Sequence, residues 1–281
     1  MRDVPVSIIA QAVKELFLDA NFNACPDLVE SLRSARDREI SETGKEVLDM
    51  IIENDEIAAR EQVAICQDTG LAILFVELGQ EVHLTGGALG DAVDEGVRAA
   101  YGEGYLRTSV VDDPVFDRRN TGSNTPAIIY TDIVPGEHIR LTGMAKGFGS
   151  ENMSALGMLR PSAGARGVVD FVVETIRKAG PNPCPPTVVG VGIGGTADRA
   201  MVVAKKATAR TIGSHNADER YAAMEAEILD RANRLGIGPG GLGGRITSLW
   251  VNVEYLPTHI AGLPVAVNIC CHAVRHAERV I

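Results

Sequence analysis

Long apolar runs are missing from the sequence, and this bears on where the protein works. In 281 residues the longest apolar stretch covers only residues 71–76, whereas a bilayer-spanning helix needs roughly 20 such residues. The amino-terminal residues show an amphipathic pattern and not the apolar core of a secretory signal. We therefore expect no membrane segment and a cytoplasmic location.

The sequence also has no excess of basic over acidic residues. The chain has 27 Lys and Arg against 37 Asp and Glu, which gives a formal net charge of -10. The average surface field would repel the phosphates of a nucleic acid, so nucleic-acid binding is not expected. If the substrate is a small dianion, a local cluster of Arg, Lys and backbone N–H donors must overcome the same repulsion.

Cysteine is scarce and odd in number. The five cysteines are Cys25, Cys66, Cys184, Cys270 and Cys271. An odd count in a chain of this length without a secretory signal argues against a disulfide framework. Metal ligation and ordinary burial remain as explanations.

The apolar patterns predict an α/β or α+β fold, with mixed sheets flanked by helices. Helical spacing marks the first sixty residues, and strands and helices then alternate irregularly. We predict helices over residues 8–17, 26–35, 43–54, 88–101, 168–176, 197–209 and 217–235. We predict strands over residues 62–65, 71–78, 127–134, 138–145, 187–193, 246–255 and 263–269.

One long loop and one hairpin complete this prediction. Residues 102–126 read as a long polar loop, and loops of that length are usually functional or disordered. Pro135-Gly136 predicts a hairpin between the strands on either side of it. We interpret residues 1–281 as a single domain, with a helical layer over about residues 1–60 and a mixed body over residues 61–281.

Three cysteines lie in predicted loops or at strand ends, where a ligand can be presented. Cys66 is followed by Gln67 and Asp68, Cys184 lies between prolines, and Cys271 follows an apolar strand. Their separations match none of the compact zinc motifs, so a shared metal would have to be assembled by the fold. Burial as small apolar side chains is the ordinary alternative.

Six short motifs follow one another along the chain. They are Cys66-Gln67-Asp68-Thr69-Gly70, Gly147-Phe148-Gly149-Ser150-Glu151-Asn152, Asn182-Pro183-Cys184-Pro185-Pro186, Gly192-Ile193-Gly194-Gly195-Thr196, Gly238-Pro239-Gly240-Gly241-Leu242-Gly243-Gly244 and Cys271-His272-Ala273. In this order they resemble the signature blocks of class I fumarate hydratases and the related L-tartrate dehydratases. The resemblance runs from about residue 40 to the carboxyl terminus.

The resemblance implies a [4Fe–4S] cluster held by Cys66, Cys184 and Cys271, in a cleft between sheet-containing subdomains. Cys271 is preferred to Cys270 because it keeps the family's spacing from Val267 and Asn268. Three thiolates leave one iron open to substrate, where it can act as a Lewis acid. The implied reaction is the reversible hydration of fumarate to (S)-malate. In the direction of dehydration, a protein base removes the proton from the carbon next to the one that loses hydroxide.

The resemblance also assigns roles to polar residues. It implies catalytic roles for Asp68 and His259 and substrate binding by Gln67, Asp68, Arg107, Gly149 and Lys146. Arginine suits this task because its guanidinium binds a carboxylate through two hydrogen bonds. Each residue also has an ordinary interpretation, since Asp is common in turns and a histidine between strands is more often structural.

A partner is implied as well. The chain ends soon after Cys271, as in the two-subunit members of the family, in which a β subunit supplies further substrate-binding residues and an α2β2 assembly forms. We therefore expect the isolated chain to show little or no turnover. L(+)-Tartrate is the alternative substrate, because the α subunits of both enzymes share these motifs.

Two functions of other classes compete with this interpretation. A nicotinamide-binding protein is the first, because Gly190-Val191-Gly192-Ile193-Gly194-Gly195 fits the dinucleotide fingerprint between a strand and a helix, but no acidic residue follows at the expected distance. A structural zinc site would need four ligands, and Cys66, Cys184 and Cys271 reach that number only with His259 or Cys270.

Overall fold

The computed structural model describes every residue, Met1–Ile281, and confirms the predicted mixture of helices and mixed sheets. In chain order the elements are β1 (Arg2–Pro5), α1 (Val6–Phe22), α2 (Pro26–Arg38), α3 (Glu42–Glu61), β2 (Leu71–Gly79), β3 (Val82–Thr85), α4 (Leu89–Glu103), β4 (Ile128–Val134), β5 (Ile139–Lys146), α5 (Phe148–Glu151), β6 (Ala155–Leu159), α6 (Gly164–Ala179), β7 (Thr187–Gly195), α7 (Ala197–Ala207), α8 (Glu219–Asn233), β8 (Ser248–Thr258), β9 (Leu263–Cys270) and β10 (His276–Val280). No helix combines the length and the apolar character needed to cross a bilayer.

The contacts between residues divide the chain into two compact units. The first contains Met1–Cys25, Asp55–Phe148 and Arg275–Ile281, and the second contains Pro26–Asn54 and Gly149–Val274. The helices of the first sixty residues are therefore shared between the two units. The interpretation of the whole chain as one domain stays a prediction.

The first unit is built on a four-stranded sheet in the order β10-β5-β2-β4. β2 pairs antiparallel with β5 and parallel with β4. Its five consecutive buried residues suit a central strand that is covered on both faces. α1 and α4 contribute to the apolar core on this sheet, which includes Leu16, Phe17, Leu74, Val97 and Leu141.

The predicted hairpin around Pro135-Gly136 is wrong, although both of its strands are present. β4 and β5 do not pair with each other, because β2 lies between them. A continuous apolar strand buries most surface in the middle of a sheet, and this long-range preference overrides the local turn signal.

The second unit contains the sheet β6-β9-β7-β8, in which β7 pairs parallel with β8 and antiparallel with β9. Successive residues of β7 face opposite sides, as the pleat requires. Val189, Val191 and Ile193 enter the apolar core with α6 and α8. A Cβ on Gly190 or Gly192 would collide with the backbone of α7. These glycines of the fingerprint-like motif therefore allow close packing of a helix on the sheet.

One other predicted element is wrong, and four short strands were not predicted. Residues 62–65 form no strand, because α3 continues to Glu61 and the Ile65 N–H donates to the Asn21 carbonyl oxygen at 2.9 Å. β1, β3, β6 and β10 each contain only four or five residues, too few for alternation to distinguish them from loops.

Candidate functional site

The Cys66–Gly70 turn of the first unit leads directly into β2 and is held at several main-chain atoms. The Thr69 hydroxyl donates to the Arg107 carbonyl oxygen at 2.7 Å. The Tyr101 hydroxyl donates to the carbonyl oxygens of Thr69, at 2.7 Å, and Gly70, at 3.0 Å. Burial raises the pKa of the Tyr101 phenol well above its ordinary value, so this donor keeps its proton. The turn therefore has a fixed shape.

Asp68 is anchored through both oxygens of its carboxylate. Oδ1 accepts from the Gly70 N–H at 3.1 Å, and Oδ2 accepts from the Phe148 N–H at 2.9 Å. The Asp68 carbonyl oxygen accepts from Nη1 of Arg275, a buried residue that the sequence analysis did not select. The side chain of Asp68 remains half-buried, so its carboxylate is oriented without being sealed from solvent.

Two more of the predicted substrate-binding residues meet at this turn. Arg107 lies in the long loop, and its Nη1 donates to Oε1 of Gln67 at 3.2 Å; both side chains are exposed. Lys146, at the end of β5, pairs with Leu71 but is only 1% exposed, and its Nζ donates to the Gly147 carbonyl oxygen at 3.4 Å. The structure thus brings Gln67, Asp68 and Arg107 together beside Cys66.

Cys184 and Cys271 belong to the second unit, where their loops touch. The Cys184 carbonyl oxygen accepts from the His272 N–H at 3.3 Å. Cys184 has a φ of 52° and an exposed side chain, and Cys271 follows the last residue of β9 and is half-buried. A positive φ is uncommon for a residue other than glycine and here turns the side chain outward from a proline-rich loop.

Glu151, two residues after Gly149, is the centre of a polar network of the second unit that the sequence analysis missed. Nζ of Lys205 donates to Oε1 of Glu151, and both side chains are largely buried. Nδ2 of Asn268 donates to Oε2 of Glu151 at 2.9 Å and to Oγ of Ser154 at 2.8 Å. Glu151 and Asn268 lie within quoted motifs and could have been selected, but no local signal pointed to Lys205.

His259 is placed away from the cysteines of its own unit. It lies in the turn between β8 and β9, is exposed, and accepts through Nδ1 from the Ala261 N–H at 3.2 Å. Cys271 follows the opposite end of β9, and a strand of that length extends roughly 25 Å. The catalytic role of His259 stays a prediction.

The glycine-dense segment of the second unit is fixed by an acidic residue. The Glu39 carboxylate accepts from the N–H groups of Ile40, Ser41, Arg245 and Ile246 at distances of 2.7–3.0 Å. Burial alone would raise the pKa of Glu39, but these four donors outweigh it and the pKa is lowered. Gly244 packs against the same carboxylate, so the role of Glu39 is to hold this segment in place.

The five cysteines differ in how well they suit a cluster. None forms a disulfide bond. Cys270 is 6% exposed, and Sγ of Cys25 donates to the His276 carbonyl oxygen at 3.3 Å. Cys66, Cys184 and Cys271 are half-buried or exposed at loops, and thiolates are the ligands that iron–sulfur clusters take. Their donor chemistry fits a cluster.

The structure contains no assembled metal site. No group of three or more Cys, His, Asp or Glu side chains is arranged to hold a metal ion. Cys66 belongs to the first unit, and Cys184 and Cys271 belong to the second. The side chains brought together within one unit are the substrate-binding candidates Gln67, Asp68 and Arg107.

Comparison with known proteins gives a consistent result along almost the whole chain. The family described as Fumarate hydratase (Fumerase) matches residues 10–280. The putative L(+)-tartrate dehydratase subunit alpha of Methanocaldococcus jannaschii is 44% identical over 273 residues, covering 96% of each chain. The L(+)-tartrate dehydratase subunit alpha of Escherichia coli strain K12 is 33% identical over 280 residues, covering 96% of this chain and 92% of the relative.

Proposed function

The chain is a hydro-lyase subunit of the class I fumarate hydratase and L-tartrate dehydratase family, and we propose that it is the α subunit of a [4Fe–4S] enzyme that hydrates fumarate to (S)-malate. The observation that carries the proposal is the fixed Cys66–Gly70 turn, which holds Asp68 beside Gln67 and Arg107. A thiol, a carboxylate, an amide and a guanidinium thus belong to this turn and to the loop bonded to it, a set of groups that suits a small dicarboxylate.

Each residue at or near the turn has a role in substrate binding or proton transfer that suits its side chain. Arg107 binds one carboxylate of the substrate through its planar guanidinium, and Gln67 donates an amide N–H to the same end. Asp68 orients the substrate or passes a proton at its free lone pairs, because its two main-chain donors already fix its orientation. Gly149 offers a backbone N–H, and Lys146 adds positive charge from beneath the turn.

Cys66, Cys184 and Cys271 would hold the cluster. When bound, such a cluster supplies a Lewis acid at the iron that lacks a protein ligand. Cys184 and Cys271 lie on two loops of the second unit that touch, and Cys66 lies in the fixed turn of the first unit. His259 remains a candidate catalytic residue, although it lies at the end of β9 opposite Cys271.

L(+)-Tartrate is the second candidate substrate, because the relatives named above are tartrate dehydratase α subunits. Malate and tartrate differ by one hydroxyl group, which a site with a hydrogen-bond partner can recognise strongly. Those names also support a β subunit as partner, and we propose an α2β2 assembly that completes the site.

Co-expression with the β subunit, cluster reconstitution under anaerobic conditions and comparison of kcat/KM for malate and tartrate test the proposal. We expect malate to be dehydrated at least tenfold more efficiently than tartrate, and the isolated α chain to show little turnover. A preference for tartrate would move the assignment to the second candidate. Full malate turnover by the α chain alone would contradict the need for a partner.

A further inference from the structure

The second unit contains a cavity that none of the residues assigned above lines. Its volume is about 410 Å³, within the range of sites that bind small ligands. A second cavity of about 460 Å³ adjoins it and shares Arg38, Leu229 and Trp250 with it. Ile246 and Val251 add further apolar surface to the first cavity. The space therefore has room for a compact organic molecule and offers it an apolar wall.

Trp250 gives this cavity an aromatic wall of fixed orientation. Its indole Nε1 donates to the Ser214 carbonyl oxygen at 3.2 Å. The imidazole ring of His215, which also lines the cavity, lies 5.0 Å from the indole ring. The side chain of Trp250 is half-buried and its N–H group is already used. Contact with a flat apolar ring is therefore what Trp250 can offer to a ligand.

Two arginines of the cavity lie close together and lack acidic partners. Arg38 directly precedes Glu39, whose carboxylate accepts from the Arg245 N–H at 2.8 Å, so the two main chains are held near each other. Both arginines line the cavity and are exposed. Neither forms an ion pair, and Nε of Arg38 donates to the Ser34 carbonyl oxygen at 3.2 Å. Two neighbouring guanidinium groups supply the charge and the donors that suit a phosphate.

The acidic side chains of the cavity do not cancel these two charges, because each already has a basic partner. Glu225 is 2% exposed and accepts from Nη2 of Arg210 and from the Val253 N–H, the latter at 2.9 Å. Asp230 pairs with Nη2 of Arg234 at 2.8 Å. The cavity therefore favours an anionic ligand, although the chain as a whole has a net charge of -10.

We propose that this cavity is a further binding site, which takes a planar aromatic compound that carries a phosphate, as a nucleoside monophosphate does. The ring stacks on Trp250, and Arg38 and Arg245 bind the phosphate. All of the residues involved belong to the second unit, and none belongs to the candidate site. The inference therefore goes beyond the proposed function and does not depend on it.

The first test uses the fluorescence of Trp250, the only tryptophan of the chain, as a direct report on the cavity. The full chain is titrated with adenosine monophosphate, adenosine and inorganic phosphate, and each titration is repeated by calorimetry. We expect a saturable change with adenosine monophosphate, which should bind about tenfold more tightly than adenosine or phosphate because it alone reaches both the ring and the arginines. No saturable change up to about 1 mM, or equal affinity for adenosine, would overturn the proposal.

The second test separates the phosphate contacts from the space. Arg38→Gln and Arg245→Gln should each weaken binding of adenosine monophosphate by about tenfold and leave the weak binding of adenosine unchanged. Ala226→Phe, at an exposed lining position of α8, should weaken the binding of both compounds by filling the cavity. Arg36→Gln is the matched control on α2, because the Arg36 guanidinium already pairs with Asp49 at 2.9 Å.

The control should bind adenosine monophosphate as wild type does, and the urea midpoint of each variant checks that its fold is kept. Wild-type affinity in both Arg38→Gln and Arg245→Gln would overturn the proposal, because the phosphate would then not be held by these arginines. Wild-type affinity in Ala226→Phe would also overturn it, because the ligand would then lie outside the cavity.

Discussion

Each unit contains an acidic side chain that anchors a loop by accepting backbone N–H donors, and the two acids differ in what they leave available. Glu39 of the second unit is 3% exposed and accepts from four N–H groups. Asp68 of the first unit accepts from two and stays half-buried. A carboxylate whose capacity is filled serves structure, whereas one that is oriented but partly open can serve chemistry.

The largest expected effect is that of Asp68→Asn in the assembled enzyme, which tests whether Asp68 takes part in the reaction. The amide keeps one oxygen for a main-chain donor but cannot accept a proton as a carboxylate does. We expect kcat for malate to fall by about 10²- to 10⁴-fold with the fold retained. Asp132→Asn, an exposed position on β4, is the matched control. A fall of less than threefold would remove Asp68 from the reaction.

Glu39→Ala tests the other side of the comparison. It removes the acceptor of four backbone N–H groups, of which that of Ile246 is buried, so we expect the free energy of unfolding of the second unit to drop by about 3 kcal/mol. Trp250 is the only tryptophan of the chain and lies on β8 of this unit, so its fluorescence reports the urea transition. Glu42→Ala, whose partner Lys45 is on the surface, should change the midpoint little. An unchanged midpoint for Glu39→Ala would show that the anchor is dispensable.

Tyr101→Phe tests whether the Tyr101 hydroxyl fixes the Cys66–Gly70 turn of the first unit. It removes the donor shared by the Thr69 and Gly70 carbonyl oxygens without changing side-chain shape. We expect a loss of about 1 kcal/mol in the free energy of unfolding and faster hydrogen exchange confined to residues 66–70. Exchange at wild-type rates in that turn would mean that the other contacts suffice to fix it.

The smallest expected effect is the pH dependence of the stability that Glu39 contributes. The pKa of Glu39 is lowered in the folded chain, so its stabilisation is fully present above the ordinary value of 4.5 and is lost as the pH falls through the folded pKa. The difference in urea midpoint between wild type and Glu39→Gln should therefore be largest near neutral pH and shrink below 4.5. A difference that grows on acidification would reverse the assigned sign.

Sequence patterns predicted elements well where one local signal dominates. α1, α6 and β2 have clear periodicity or continuous apolar runs, and each was predicted within a few residues of its bounds. The hairpin failed because strand order depends on which strand buries most surface, and β2 competes for the central place from a distant part of the chain.

In the candidate site too, the sequence indicated some residues and missed those whose partners are distant along the chain. The resemblance pointed to Asp68, Gln67 and Arg107, and the structure places the turn of the first two beside the loop of Arg107. Arg275 and Lys205 were missed because their partners, Asp68 and Glu151, are far away in sequence. His259 was selected only through the resemblance, the structure places it at the end of β9 opposite Cys271, and its catalytic role stays a prediction.

Iron and acid-labile sulfide in the full chain after anaerobic reconstitution test the cluster assignment most directly. The account predicts about four of each per chain, a large loss in each of Cys66→Ser, Cys184→Ser and Cys271→Ser, and wild-type content in Cys25→Ser and Cys270→Ser. Full iron content in any of the first three variants, or its loss in Cys270→Ser, would contradict the assignment of the ligands.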